Sequence, residues 1–448
     1  MHIDFFKKVF DEYGEKDAVV HSGKVYSYNS LSERILYWEN EIKSRDIQPG
    51  TVVFIEADFS PNSIALFLAL TDIVCIIVPI TGATAPKKDE FIEIAQGELL
   101  IKIESDESVK FEKLDHKADH EYYSELREKN EPGLVVFSSG SSGKSKGMVL
   151  NLKDVMEKFK HRRRGLRAIS FLLFDHFGGV NTMFHILSNG GCLVTVADRT
   201  PDGVLQAVED FKVELLPTSP TFINLIFLNE AYKRHDISSL QVVSYGTEPM
   251  PESTLKRFHS LYPNIKLQQT YGLSETGVMR SKSKSSDSLW VKLGGEGFET
   301  RIVDGMLEIK SQSAMLGYLN APDPYTADGW FRTMDLVETD GEYMRILGRK
   351  SEIINVGGEK VYPAEVENTI QELDIIGEVL VYPEKNPIVG NIVCAEVTIK
   401  DKNIDKKEIK KLVKKHCASK LRSYKVPVKI KVLDEMGINA RFKKKRKV

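Results

Sequence analysis

A chain of 448 residues is long enough for one large domain and a smaller one, each with a sizeable buried core. Apolar residues make up 42% and charged residues 28%, an ordinary globular composition, and the absence of an apolar run of membrane-spanning length argues against a membrane span. The net charge of −2 conceals an asymmetry, because Asp401 to Val448 carry 18 Lys and Arg against 5 Asp and Glu. Such a basic end attracts anions: nucleic acid, a membrane surface, an acidic protein or a phosphorylated small molecule.

In chain order, the opening MHIDFFKKVFDEYGEKD has the spacing of an amphipathic helix and lacks the unbroken apolar stretch of a signal peptide. Cys75, Cys192, Cys394 and Cys417 stand far apart, with no C-x-x-C pair and no His at ligand spacing. Neither a disulfide framework nor a zinc site is expected, and a reducing, cytoplasmic setting is. Between 130 and 270, LVVFSS (134–139), ISFLLF (169–174), CLVTVA (192–197), LQVVSY (240–245) and IKLQQT (265–270) predict buried strands. PDGVLQAVEDFK and PESTLKRFHSLY open on Pro and polar residues and continue at helical spacing. The alternation predicts an α/β architecture with a largely parallel sheet. From 296 to 348 short strands and turns predict a β-rich subdomain. After Arg349 come a helix (363–373), strands (377–382, 391–399), a helix (405–420) and a strand (426–433), a small α+β domain with its boundary near 349–352.

The densest chemistry lies in Phe137-Ser-Ser-Gly-Ser-Ser-Gly-Lys-Ser-Lys-Gly147, which follows a predicted strand. Glycines let backbone N–H groups approach a phosphate, and hydroxyls and lysines donate to its oxygens. Gly143-Lys144-Ser145 invites comparison with a Walker loop, but that motif needs Gly at 138, where Ser stands.

This loop resembles the phosphate-binding loop of the adenylate-forming superfamily, which comprises acyl- and aryl-CoA synthetases, peptide-synthetase adenylation domains and luciferases. Ser145 replaces that family's usual Pro. Further matches follow in the same order: Ser244-Tyr-Gly-Thr-Glu-Pro-Met-Pro251, Gln269-Thr-Tyr-Gly-Leu-Ser-Glu-Thr-Gly277, Gly329-Trp-Phe-Arg-Thr-Met-Asp-Leu336 and the hinge-like Ile346–Pro363. The likeness runs from Tyr26-Ser-Tyr28 to the terminal lysines, with a shortened segment between Pro79 and Phe137.

The resemblance implies a large AMP-binding domain over 1–348, with mostly parallel sheets and the β-rich subdomain, and a mobile C-terminal domain over 349–448. It implies ATP, Mg²⁺ and coenzyme A (or carrier-protein phosphopantetheine) as cofactors, and a small carboxylic acid as substrate. Ser138, Ser139, Gly140, Ser141, Ser142, Gly143 and Lys146 would cradle phosphates. Gly246, Thr247, Glu248, Thr270, Tyr271 and Gly272 would pack against adenine, Ser274 would meet the α-phosphate region and Glu275 would hold Mg²⁺. Asp335 would accept from the ribose hydroxyls, and Arg349 would contact the nucleotide. Gly357 and Gly358 would reach the thiol tunnel when the small domain turns. In this family a lysine in a Gly-Lys-x-x-Arg-like run stabilises charge at the α-phosphorus. Here that residue is Lys443, with Phe442 at the Gly position and Lys444 or Lys445 as alternatives. Phe174-Asp-His-Phe-Gly-Gly-Val180 resembles the segment bordering the acyl site, which nominates His176. Asp175 leaves an amino-acid substrate open, because adenylation domains carry an Asp nearby that holds the amino group.

The expected activity is therefore ATP-dependent acid–thiol ligation through an acyl-AMP, on a fatty or other acyl acid. Two alternatives are an amino-acid-activating adenylation enzyme and a nucleotide-binding protein impaired in catalysis. A carrier protein remains an open acceptor, and neither nucleic acid nor a membrane span is expected. The tail KKKRKV also reads as a nuclear-import signal.

Overall fold

The computed structural model describes residues 2–139, 145–401, 404–439 and 442–444. Two seven-stranded sheets form the large domain. In the first, Lys266–Gln269, Val242–Tyr245, Leu215–Thr218, Arg167–Ile169, Cys192–Val194 and Asp17–His21 lie side by side and parallel, with Lys24–Ser27 as an antiparallel edge. The second has a parallel centre, Leu99–Ile103, Val52–Glu56, Ile76–Ile80 and Gly133–Ser139, and antiparallel flanks.

Helix Pro61–Asp72 shows why two sheets cohere. All twelve of its residues are buried, and Ile64 to Leu70 share one core with Val19 of the first sheet and Val53 and Leu134 of the second. A helix apolar all round must be covered all round. Its start is set by Ser60, whose hydroxyl accepts from Ser63 N while Ser63 Oγ accepts from Ser60 N, a reciprocal cap.

The β-rich unit is a six-stranded antiparallel sheet from Arg280–Ser283 to Tyr343–Arg349. Beyond it, residues 354–430 build a separate apolar core from two helices, Pro363–Gln371 and Lys406–Lys420, and a five-stranded sheet. The α/β class and the small α+β unit are as expected from the sequence.

One strand differs. ISFLLF pairs only as far as Ile169; Phe174 instead leaves the sheet to meet Phe59 and Phe67 edge-on, at ring distances of 4.9 and 5.8 Å. An apolar run records burial, not pairing. The four cysteines are free and buried. Among the described residues no helix is long and apolar enough to cross a membrane.

Candidate active site

Strands Leu215–Thr218, Val242–Tyr245 and Lys266–Gln269 run parallel in register, so the residues that follow them gather at one carboxyl edge. Ligands of open α/β sheets bind at that edge. Gly246 packs flat against the next strand's end: a Cβ there would lie 2.6 Å from Thr270 Oγ1, and Thr270 N donates to Tyr245 O at 2.7 Å. Thr247 (φ 73°) and Gly272 are exposed beside it.

Tyr271 and Asp335 are both nearly buried, at 8% and 6% exposure. The phenol donates to Asp335 Oδ2 at 2.5 Å, and Arg349 Nε lies 3.4 Å from Oδ1. Asp335 and Arg349 face each other across paired strands, so ladder register delivers the pair. Burial raises the Asp335 carboxyl above its ordinary value, although Arg349 and Tyr271 oppose the shift. Burial, reinforced by Asp335, pushes the Tyr271 phenol well up.

On the phosphate side, strands Gly133–Ser139 and Ser145–Asn151 place Ser138 opposite Lys146. Lys146 Nζ sits 5.0 Å from the centre of the Tyr318 ring, and the Tyr318 hydroxyl donates to Glu275 Oε1 at 2.9 Å. One ring thus bridges the expected phosphate lysine and the expected metal carboxylate. Ser274 is half-buried immediately before Glu275. Ser145 is held locally, its N–H donating to Glu90 and its hydroxyl accepting from Lys87. Gly140, Ser141, Ser142 and Gly143, and the side chain of Ser139, lie outside the described residues.

Among the described residues no three His, Cys, Asp or Glu side chains cluster as a metal cage. Glu275 still suits Mg²⁺, which binds through one or two carboxylates together with substrate phosphates.

A cavity of about 440 Å³ opens beside Gly246, Thr247 and Thr270 and extends along helix Phe177–Ser188, past Gly178, Thr182 and His185. His176 does not line it; its ring caps the helix, Nδ1 accepting from Gly178 N at 3.0 Å. From the segment that nominated His176, Gly178 is the residue that lines this cavity. Asp175 also faces elsewhere, accepting from Thr81 and Thr84 hydroxyls at 3.0 Å each.

The C-terminal segment reaches this edge. Phe442 lies 5.4 and 4.9 Å from the Phe171 and Phe222 rings, and its carbonyl accepts from Ser219 Oγ at 2.8 Å. Ser219 follows the strand that ends at Thr218, so this contact docks the residue before Lys443 at the carboxyl edge, although Lys443 itself does not line the cavity. Lys444 turns the other way, 2.9 Å from Glu378 and 3.0 Å from Val379 O. Burial opposes its charge, yet Glu378, Glu367 and Glu248 hold it above its ordinary value. Glu248 accepts from Thr221 N at 2.8 Å and is raised by burial, with Lys444 opposing. Gly357 and Gly358 form an exposed hairpin turn that the cavity lining does not include. Lys445 lies outside the described residues.

Sequence reasoning missed Tyr318 and Glu378. Neither sits in a motif, and both are found only through pairing across long separations.

Models for the AMP-binding enzyme and the AMP-binding enzyme C-terminal domain match residues 6–319 and 365–443. The chain is 28% identical to an indoleacetate–CoA ligase of Aromatoleum aromaticum over 68% of its own length and 64% of that protein's. It is 25% identical to a Rhodococcus jostii CoA ligase acting on a methyl-dioxo-octahydroindenyl propanoate, over 97% and 95%. The fold superposes on a solved anthranilate CoA ligase complexed with anthranoyl-AMP with a TM-score of 0.83, at 18% identity over 99% and 95% of the two chains.

Proposed function

The chain belongs to the AMP-binding enzymes, and from that premise we propose that it joins a small carboxylic acid to coenzyme A through an acyl-AMP. The observation that carries this reading is the approach of two groups, Tyr271–Asp335–Arg349 and Lys146–Tyr318–Glu275, with Glu275 near enough to act on the charges of Asp335 and Arg349, while Phe442, next to Lys443, docks on Ser219 at the carboxyl edge.

Adenine lies against Gly246, Thr247, Thr270 and Tyr271, and Asp335 accepts from the ribose hydroxyls beside Arg349. Ser138, Lys146 and Ser274 donate to phosphate oxygens. Glu275 would hold Mg²⁺, which would supply charge neutralisation to the polyphosphate. One oxygen of the acid attacks the α-phosphorus, the bond to the bridging oxygen breaks, and pyrophosphate leaves with that electron pair. Lys443 stabilises the charge that builds up, and bound geometry supplies much of the remaining rate.

Turning of the small domain about residues 349–352 then exchanges the Lys443 hairpin for the Gly357–Gly358 turn. The thiol attacks the acyl carbon, AMP departs with the C–O electrons and the thiol proton goes to solvent. The basic face of residues 401–448 suits the phosphates of coenzyme A. An amino-acid substrate is disfavoured because Asp175, the nominated ammonium partner, is turned to Thr81 and Thr84.

The test is acid-dependent pyrophosphate release with MgATP, across aliphatic, aromatic and amino acids, with and without coenzyme A. Release with one acid class, and thioester formation only when the thiol is present, is the expected result. Silence with every acid while ATP still binds would overturn it.

A further inference from the structure

The cavity that adjoins the adenine edge is lined by basic side chains and no carboxylate. Lys158, Arg163, Arg280, His161 and His185 all contribute to its wall, and no Asp or Glu does. The rest of the lining is largely apolar or neutral, including Leu166, Leu172 and Met279. None of the residues outside the described set is Asp or Glu either.

Lys158 and His185 are half-buried, whereas His161, Arg163 and Arg280 are exposed. The Lys158 ammonium donates to Asn181 Oδ1 at 2.7 Å and to Val278 O at 3.0 Å. Neither partner carries charge, and no carboxylate within ion-pair distance of Lys158, Arg163 or Arg280 is found among the described residues. His161 alone meets an acid, Glu296 at 3.7 Å, and that pair is exposed. A cation inside a cavity without a counter-ion is costly, and burial accordingly pushes the Lys158 ammonium down to about 7. A structural lysine would be paired; this one faces a space of ligand size.

The position of the cluster separates it from the triphosphate. Ser138, Lys146, Glu275 and Asp335 do not line this cavity. Gly178 and His185 lie seven residues apart on one face of helix Phe177–Ser188, a span of roughly 10 Å at the helical rise. An acid reacting near the Gly178 end therefore puts its far end among Lys158, His185, Arg163 and Arg280.

Resting on the reading above, we propose that the acid this enzyme activates is a dicarboxylate whose far carboxylate is bound by Lys158, with His185, Arg163 and Arg280 around it. The near carboxylate forms the mixed anhydride with AMP; the far one stays ionised and is not consumed. A plain fatty acid would leave the cations uncompensated, and the ammonium of an amino acid would be repelled by them.

The experiment measures pyrophosphate release without coenzyme A, so that thiol binding does not enter. Adipic, suberic and the three benzenedicarboxylic acids are compared with hexanoic, octanoic and benzoic acids. The expected result is a kcat/KM for the preferred diacid at least about tenfold above its monoacid counterpart, the scale of a charged hydrogen bond. In Lys158→Met that ratio falls by about tenfold or more, and in the exposed variant Arg163→Gln it falls severalfold. Monoacids served as well as diacids, or a ratio unmoved in both variants, would overturn the proposal while leaving adenylation intact. No release with any acid, with ATP still bound, would instead remove the ligase reading on which it rests.

Discussion

Tyr271 donates its phenolic proton to Asp335 at 2.5 Å, and the two residues stand 64 positions apart in sequence. The contact fastens the turn after the first sheet to the β-rich unit, and it aims the free edge of a buried carboxylate toward the proposed ribose site. Asp335→Asn keeps the shape and removes the charge. We expect it to raise the KM for ATP by about ten- to a hundredfold, the worth of hydrogen bonds to a charged group, with the KM for the acid little changed. Steady-state kinetics with each substrate varied in turn will check this.

Adjacent lysines should separate cleanly. Lys443 follows Phe442, which docks on Ser219 at the carboxyl edge, whereas Lys444 is 9% exposed and spans to Glu378, itself 3% exposed. Lys443→Ala should lower acid-dependent pyrophosphate release by about a hundredfold or more, as loss of a charge-stabilising group does. Thioester formation from preformed acyl-AMP should persist in that variant. Lys444→Met should act through stability, because it strands Glu378 beside Glu367 and Glu248; breaking a buried pair costs about 3–5 kcal/mol. Urea unfolding of the two variants distinguishes the roles.

Two positions where the family resemblance calls for Gly explain themselves in the backbone. Met334 has φ 63° and Phe442 has φ 51°, both in the left-handed region that glycine enters freely. Met334 is 40% exposed, so its side chain returns little burial for that strain. Met334→Gly should stabilise the protein by about 1 kcal/mol. Phe442→Gly should go the other way, since it forfeits the Phe171 and Phe222 contacts that dock the hairpin. Thermal unfolding, and limited proteolysis of the terminal segment, will give the two signs.

What the sequence revealed and what it hid divide along physical lines. Contiguous motifs were legible as local structure, because the chain turn at Gly246 and the strand at Asp335 are encoded within a few residues. The small unit was legible because its helices and strands are regular and locally consistent, as at Lys406–Lys420. Two side-chain arrangements were not legible. The ring of His176 is used as a helix cap, a choice of local hydrogen bond that composition does not decide. Glu248 accepts from Thr221 N and feels the charge of Lys444, 196 residues away, and such long-range contacts leave no periodic trace. The basic cavity was hidden for the same reason, since Lys158, His185 and Arg280 come from three separate segments.

That cavity also predicts a pH dependence. Burial first, and Arg163 second, bring Lys158 down to about 7 from its ordinary 10.5; burial, Arg163 and Lys158 bring His185 down to about 4. The groups facing Lys158 are Arg163 and His161 from its own segment, His185 from the helix and Arg280 from the strand, all cations or potential cations. In the free enzyme the folded chain therefore gives up a proton that the unfolded chain keeps, so stability rises with pH from about 7 to about 10.5. A bound second carboxylate reverses the local balance, restoring the ammonium, so diacid binding takes up a proton. Above pH about 7, kcat/KM for a diacid should fall as pH rises, approaching tenfold per unit, with a matched monoacid free of that limb. Profiles of pyrophosphate release from about pH 6 to about pH 9, for both acids on wild type and Lys158→Met, will decide it. Parallel profiles for the two acids, or an unchanged diacid profile in the variant, would separate Lys158 from substrate charge.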